Sequence, residues 1–241
     1  MPLDQSLSPD ERLQQEFNRW ASDGEGPKME RHHLDITHKT MRRMDLGPGQ
    51  RVLDLGCGSG WAAQLLARLV DDGPLGRGQV VGVDISDEMI RQAQASSKEF
   101  HNLKFVQGSA TNIPCENNAF DKVLSVESFY YYPDQDHALS ELFRVMAPRG
   151  RLFILINLYK DNPYSLQWVP KLKVPVHVRS AAEYVELLKQ HAFENVESVQ
   201  IPDDTPTPDN YQTTSFHSLD DLKAFKRAGA LLLMASKPAK D

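Results

Sequence analysis

The sequence predicts an α/β fold, a three-layer α-β-α sandwich around a doubly wound, mostly parallel sheet of seven strands. Strand-length apolar runs alternate with helix-length amphipathic runs, the pattern of parallel strands joined by helical crossovers. The first strand runs through Asp54-Leu55-Gly56-Cys57-Gly58-Ser59-Gly60 straight into a helix, and the next strand ends in Asp84. Both acids therefore lie at the carboxyl ends of parallel strands, where sheets of this kind bind ligands.

Two helices open the chain. Ser8-Pro9-Asp10-Glu11 carries a capping box with proline in the first turn, and Leu13, Phe17, Trp20 and Ala21 follow at helical spacing. The stretch from Asp23 to Pro27 reads as a break, with a second amphipathic helix from about Glu30 to Met44. Gly47-Pro48-Gly49 turns into strand 51–55, which precedes helix 61–70. Strand 79–84 leads to a helix capped by Ser86 or Asp87 and running to about Phe100. A short strand, 104–107, gives way to irregular chain over 108–118. Strand 121–126 precedes helix 134–146, stopped by Pro148 and Gly150, and 151–157 is the most apolar strand.

From Leu158 to Val178 the regularity lapses, and Pro163, Pro170 and Pro175 punctuate Tyr159, Tyr164 and Trp168. Aromatic side chains in such a loop suit a lid over a ligand site. A second capping box, Ser180 to Glu183, starts a helix to about His191. Strand 195–201, a polar insertion with Pro202, Pro206 and Pro208, a short helix near 219–226 and strand 230–236 complete the pattern. One domain is expected, with a helical cap (1–49), a cofactor-binding core (50–157), a lid-like loop (158–180) and the rest of the sheet (181–241).

Composition narrows the function. A net charge of −6 offers no basic face, so no nucleic-acid partner is expected. No apolar run approaches the roughly 20 residues of a membrane span, and Met1-Pro2-Leu3-Asp4 lacks the basic and apolar segments of a signal peptide. Cys57 and Cys115 make neither a disulfide framework nor a zinc spacing. A cytoplasmic monomer or homodimer is the expectation.

The glycine loop defines the ligand. Alternate glycines leave no side chains between backbone and ligand, and the helix behind them aims its positive end at an anionic group. A dinucleotide loop would read G-x-G-x-x-G and close on a pyrophosphate. Here the pattern is Asp-x-Gly-x-Gly-x-Gly, and a carboxylate beside the loop suits an ammonium group instead. S-adenosylmethionine offers ammonium, carboxylate, sulfonium and ribose together. With these residues the chain resembles a class I, seven-stranded S-adenosylmethionine-dependent methyltransferase, of the small-molecule branch that includes quinone-ring methyltransferases. The resemblance implies that the last two strands pair antiparallel at one edge of the sheet.

It also implies a residue-by-residue site. Gly56, Gly58 and Gly60 would bring main chain against the methionine portion, Asp54 would face its ammonium group, and Asp84 would accept the ribose hydroxyls. Ile85 and Met89 would sandwich the adenine. Gly108-Ser109-Ala110 stands where the family usually shows Gly-Asp-Ala, so Ser109 departs from the acid that accepts from the adenine amine, and recognition would shift to backbone near Ala110. Val126 and the run Glu127-Ser128-Phe129-Tyr130-Tyr131-Tyr132 follow the fourth strand, where sulfonium and acceptor meet.

Tyrosine faces attract cations, which suits Tyr130 and Tyr131, although three consecutive tyrosines cannot all face one way. Trp20 and Tyr159 are the further candidates for the acceptor pocket, on the leading helix and the lid. Methyl transfer by in-line displacement needs alignment above all, and a base only for a protonated acceptor. His32, His33, Tyr131 and Glu127 are candidates; Tyr131 and His33 are the expected catalytic pair, since adjacent histidines on a helix point about 100° apart and only one can face the site. No metal is expected, because no acidic cluster marks the acceptor region. The rival readings are a nicotinamide-dependent (NAD(P)) oxidoreductase and a non-catalytic S-adenosylmethionine-binding protein.

Overall fold

The structure is a computed structural model that describes residues 6–212 and 215–239; Met1 to Asp4, read above for a leader, lie outside the described residues. Seven strands form one sheet: β1 Arg51–Leu55, β2 Gln79–Asp84, β3 Leu103–Gln107, β4 Phe120–Val126, β5 Met146–Ile156, β6 Glu194–Ile201 and β7 Ala230–Ser236. Their order is β3-β2-β1-β4-β5-β7-β6, with β7 antiparallel to both β5 and β6. The chain reverses direction of winding between β1 and β4, which opens the crevice at their carboxyl ends.

The described residues form seven α-helices: α1 Pro9–Ser22, α2 Gly26–Met44, α3 Trp61–Val70, α4 Asp87–Ser96, α5 Gln135–Val145, α6 Ala181–Gln190 and α7 Leu219–Ala228. Alternation within strands builds two cores. Leu53, Val123, Ile154 and Leu233 join one apolar cluster with Leu139 of α5 and Tyr184 of α6. Their neighbours Val52, Leu124, Phe153 and Leu232 join the opposite cluster with Ile36, Leu66 and Ile90 of α2, α3 and α4. Both faces of the central strands are thus dry, as a doubly wound fold requires, while edge strand β6 stays largely exposed. Among the described residues no helix is long and apolar enough to cross a membrane.

Both capping boxes form, at Ser8 with Glu11 and at Ser180 with Glu183, and Ser86 caps α4 by accepting from the Met89 amide. Three boundaries differ from expectation. α2 begins at Gly26, with Pro27 inside its first turn, where a missing amide costs nothing. α4 stops at Ser96 instead of continuing to about Phe100. β5 begins at Met146, because Met146 pairs with Phe120 before a bulge restores register at Arg151 and Lys122; the short turn at Gly150 is so tight that a Cβ would lie 2.7 Å from the Ala147 carbonyl oxygen.

Candidate active site

A cavity of about 490 Å³ opens at the carboxyl ends of β1, β2 and β4. It collects most of the predicted residues from distant parts of the chain: Trp20 and His33 from α1 and α2, Asp54, Gly56 and Gly58 from the glycine loop, Asp84, Ile85 and Met89 after β2, Ser109 and Ala110 after β3, and Val126, Tyr130 and Tyr131 after β4. Two predicted residues are elsewhere. Gly60 does not line the cavity; it holds a left-handed φ of +87° at the start of α3, and a Cβ there would lie 2.6 Å from the Phe105 ring. Tyr159 is fully buried in the core, its hydroxyl donating 3.1 Å to the Gly229 carbonyl, so it supports the sheet edge and touches no ligand space.

The loop geometry follows from its glycines. Gly56 is also left-handed, and a side chain there would strike Ser128 at 2.4 Å. Gly58 meets nothing within 4 Å on its Cβ side, so the backbone borders open space. Its amide donates to Asp84 Oδ2 at 2.9 Å, while Asp84 Oδ1 accepts from the Ser86 amide at 2.9 Å. Burial pushes the Asp84 carboxyl upward against these bonds.

Asp54 differs. It is 1% exposed, lines the cavity, and its Oδ2 is buried without a hydrogen-bond partner. Burial, with the charge of Asp84 close by, pushes its carboxyl up to about 7. A buried, unpaired carboxylate facing a cavity calls for a cation. The ammonium group of S-adenosylmethionine meets that need, with Asp84 and the open backbone face of Gly58 beside it for the rest of the molecule, so the residues present fit this group.

The other part of the cavity is aromatic and acidic. The Tyr130 and Tyr131 rings lie 4.5 Å apart, and Tyr131 meets Phe17 edge-on at 5.1 Å and Trp20 at 6.3 Å. Tyr132 turns inward, its hydroxyl bonding Ser128 at 2.9 Å in the core. The 158–180 segment reaches this end through a short helical turn, Leu166–Lys171, near which Trp168, Lys171 and Leu172 line the cavity. Trp168 donates to the Ser215 carbonyl at 3.1 Å and packs on Phe216 and Phe225.

Glu127 sits at the centre of this region in a left-handed conformation, φ +54°, costly for a residue with a Cβ. Its Oε1 accepts from the Asn157 amide at 2.5 Å and its Oε2 from the Tyr130 hydroxyl at 3.0 Å. Burial drives its carboxyl up to about 7. His33 Nε2 is 3.9 Å from Glu127 Oε2, but burial lowers the ring to about 4, so the two face each other as neutral groups near pH 6. Tyr131 moves the other way, its hydroxyl raised far from neutrality by burial. His32 also borders the cavity, from the more exposed side of α2, so both adjacent histidines reach it.

Comparison with known proteins decides the family. Residues 46–214 match the family model described as a methyltransferase domain. The chain is a class I S-adenosylmethionine-dependent methyltransferase. This methyltransferase is 32% identical over 168 residues to a demethylmenaquinone methyltransferase of Staphylococcus saprophyticus, covering 67% of this chain and 70% of the relative. It is 32% identical to a fatty-acid O-methyltransferase of Mycolicibacterium smegmatis over 70% of this chain and 56% of that one. Alignments to these and similar curated relatives span from 50% to 70% of the relatives' own length. A Haloferax volcanii chain solved in complex with the Trm112 methyltransferase activator superposes with a TM-score of 0.83 at 31% identity, covering 92% of this chain and 98% of that one. The methyltransferase therefore carries out methyl transfer from S-adenosylmethionine, which leaves as S-adenosylhomocysteine.

Proposed function

We propose that the acceptor is a small, largely apolar molecule with one protonated nucleophilic group, a phenol-, enol- or acid-type hydroxyl, and that Glu127 takes its proton. The observation that carries this reading is Glu127 itself: a buried carboxyl at the cavity wall with a pKa of about 7, held by Tyr130 and Asn157. A base works best with a pKa near the working pH.

When bound, S-adenosylmethionine supplies an electrophilic methyl carbon on a positive sulfur. The chain's own residues do the rest. Asp54 and Asp84 fix the donor's two ends, with Asp84 itself held by the Gly58 amide. Phe17, Trp20, Tyr130 and Tyr131 enclose the acceptor and exclude water, and the lid closes over it from Trp168 to Leu172. Glu127 Oε2 would take the proton that the acceptor hydroxyl gives up, while a bound donor would supply the methyl group and keep the bonding pair on its sulfur. Tyr130 supports the Glu127 carboxylate through its hydroxyl. Relatives named for demethylmenaquinone and for fatty-acid O-methylation support an apolar acceptor without choosing the member.

The test is transfer of a labelled methyl group to a reduced naphthoquinone, a simple phenol and a free fatty acid, with Glu127→Gln alongside. Transfer to at least one, reduced at least 100-fold in the variant, is the expected result. Transfer unchanged by Glu127→Gln overturns the role of Glu127. A second, separate reading concerns a partner: the near full-length likeness to the Haloferax chain supports binding of a Trm112-type activator, and co-expression with such a protein tests it by co-purification and by the gain in transfer rate.

A further inference from the structure

We propose that Asp10, on the leading helix α1, completes the cofactor site by accepting from the exocyclic amine of the adenine. The inference rests on the S-adenosylmethionine reading of the cavity and adds a wall to it that the glycine loop and β-strands do not provide.

Across the β2–β3 pair, Asp84 lies opposite Gln107, and the Gly108 amide donates to the Asp84 carbonyl at 2.9 Å. Ser109 therefore sits one strand over from the ribose position, a spacing of about 4.8 Å. Ile85, Met89 and Ser109 all line the cavity beside that position, so a base attached to the ribose would lie among them. The polar groups there are not those of β3 alone. Ser109 Oγ donates to Asp10 Oδ2 at 2.6 Å, and Thr111 Oγ1 donates to the same oxygen at 3.2 Å, across 99 and 101 residues of sequence.

The donor count assigns the role. The Ser109 proton is committed to Asp10, and its oxygen accepts from the Thr111 amide at 3.2 Å. Among the described residues no hydrogen bond reaches Asp10 Oδ1, and Asp10 lines the cavity. An amine needs an acceptor, and a carboxylate accepts with charge assistance that a hydroxyl lacks. The acid missing from position 109 is thus restored from a different element. Asn18, two turns along α1, keeps the helix in place: it donates to Asp87 at 2.8 Å and accepts from Ser86 at 2.6 Å, both at the start of α4.

The experiment is calorimetric titration of the full chain with S-adenosylhomocysteine and with its analogue bearing hydrogen in place of the amine at purine C6. The wild type should prefer the amine about tenfold or more, the scale of one charge-assisted bond. In Asp10→Ala the preference should fall to within about twofold, through weaker binding of S-adenosylhomocysteine and unchanged binding of the analogue. Asp10→Asn, which keeps the size and an acceptor oxygen, should fall between and serves if the alanine variant melts early. An unchanged preference in Asp10→Ala, or equal weakening of both ligands, overturns the proposal. A wild type that binds neither ligand overturns the cofactor reading itself.

Discussion

Asp54 and Asp84 end paired parallel strands in one cavity, yet only Asp84 is satisfied: it accepts from the Gly58 and Ser86 amides, whereas Asp54 Oδ2 accepts from nothing. Two buried carboxyls raise each other's cost of ionisation, and the cation of the donor removes that cost for Asp54.

The sign of the resulting pH dependence is fixed. Asp54 has a folded pKa of about 7 against an ordinary 3.8, so its protonated form favours the fold. That contribution is complete below about pH 4 and disappears as pH rises to about 7. Asp54→Asn cannot ionise and keeps it. Its melting temperature without ligand should exceed the wild type's by roughly 5 °C at pH 8, with the gap narrowing toward pH 5. The same variant should bind S-adenosylhomocysteine about 100-fold more weakly at pH 8. In the wild type, affinity should climb with pH and flatten above about 7. A gap independent of pH contradicts the assignment.

Glu127 sets a second limb. With a folded pKa of about 7 it is a competent base only above that value, so kcat/KM should rise with pH to a plateau near 8. Glu127→Gln should remove the limb and lower kcat by about 10²–10⁴ while leaving the affinity for S-adenosylhomocysteine within about twofold. Tyr131→Phe should keep the limb, since that hydroxyl stays protonated throughout. Loss of the limb in Tyr131→Phe instead of Glu127→Gln reverses the roles.

The doubly wound class of the sheet and the strand–glycine loop–helix unit were legible because local spacing encodes them: period, caps and glycines are short-range signals, whereas the strand order is set by tertiary pairing. At Gly60 a tight strand–helix turn and a ligand loop call for the same residue, and the Phe105 ring and Ala93 methyl packed against it, a tertiary contact, favour the turn. Tyr159 sits one residue past a buried pair, Asn157 and Leu158, at the end of β5, and no local pattern says that its hydroxyl turns to Gly229. Glu127 had a signal, an acid directly after a strand, yet its neutral-pH carboxyl depends on burial that sequence does not print. Asp10 read as part of a capping box; its bond to Ser109 is purely tertiary.

Gly60→Ala tests the structural assignment of that glycine. A Cβ must enter a left-handed backbone at φ +87° and displace the Phe105 ring and the Ala93 methyl, which stand 2.6 and 2.9 Å away. Left-handed strain of about 1–2 kcal/mol and overpacking of about 1–3 kcal/mol add. The melting temperature should drop by roughly 5–15 °C, and a low-temperature titration should still show S-adenosylhomocysteine binding within about fivefold. Normal stability with lost binding makes Gly60 a ligand contact after all.

Trp168→Ala separates the lid from the donor site. Trp168 holds the lid to the Phe216, Leu222 and Phe225 cluster and to the Ser215 carbonyl. Farther along, the His177 amide donates to the Tyr130 carbonyl at 2.8 Å, which ties the same segment to the acceptor end. Asp54, Asp84 and Gly58 belong to β1, β2 and the loop between β1 and α3, so their geometry does not pass through Trp168. Removing the indole should therefore raise KM for the acceptor by about tenfold, the loss of one aromatic contact of roughly 1–2 kcal/mol, and leave the affinity for S-adenosylhomocysteine unchanged. Equal loss for donor and acceptor makes the lid a wall of the whole cavity and not of its acceptor end.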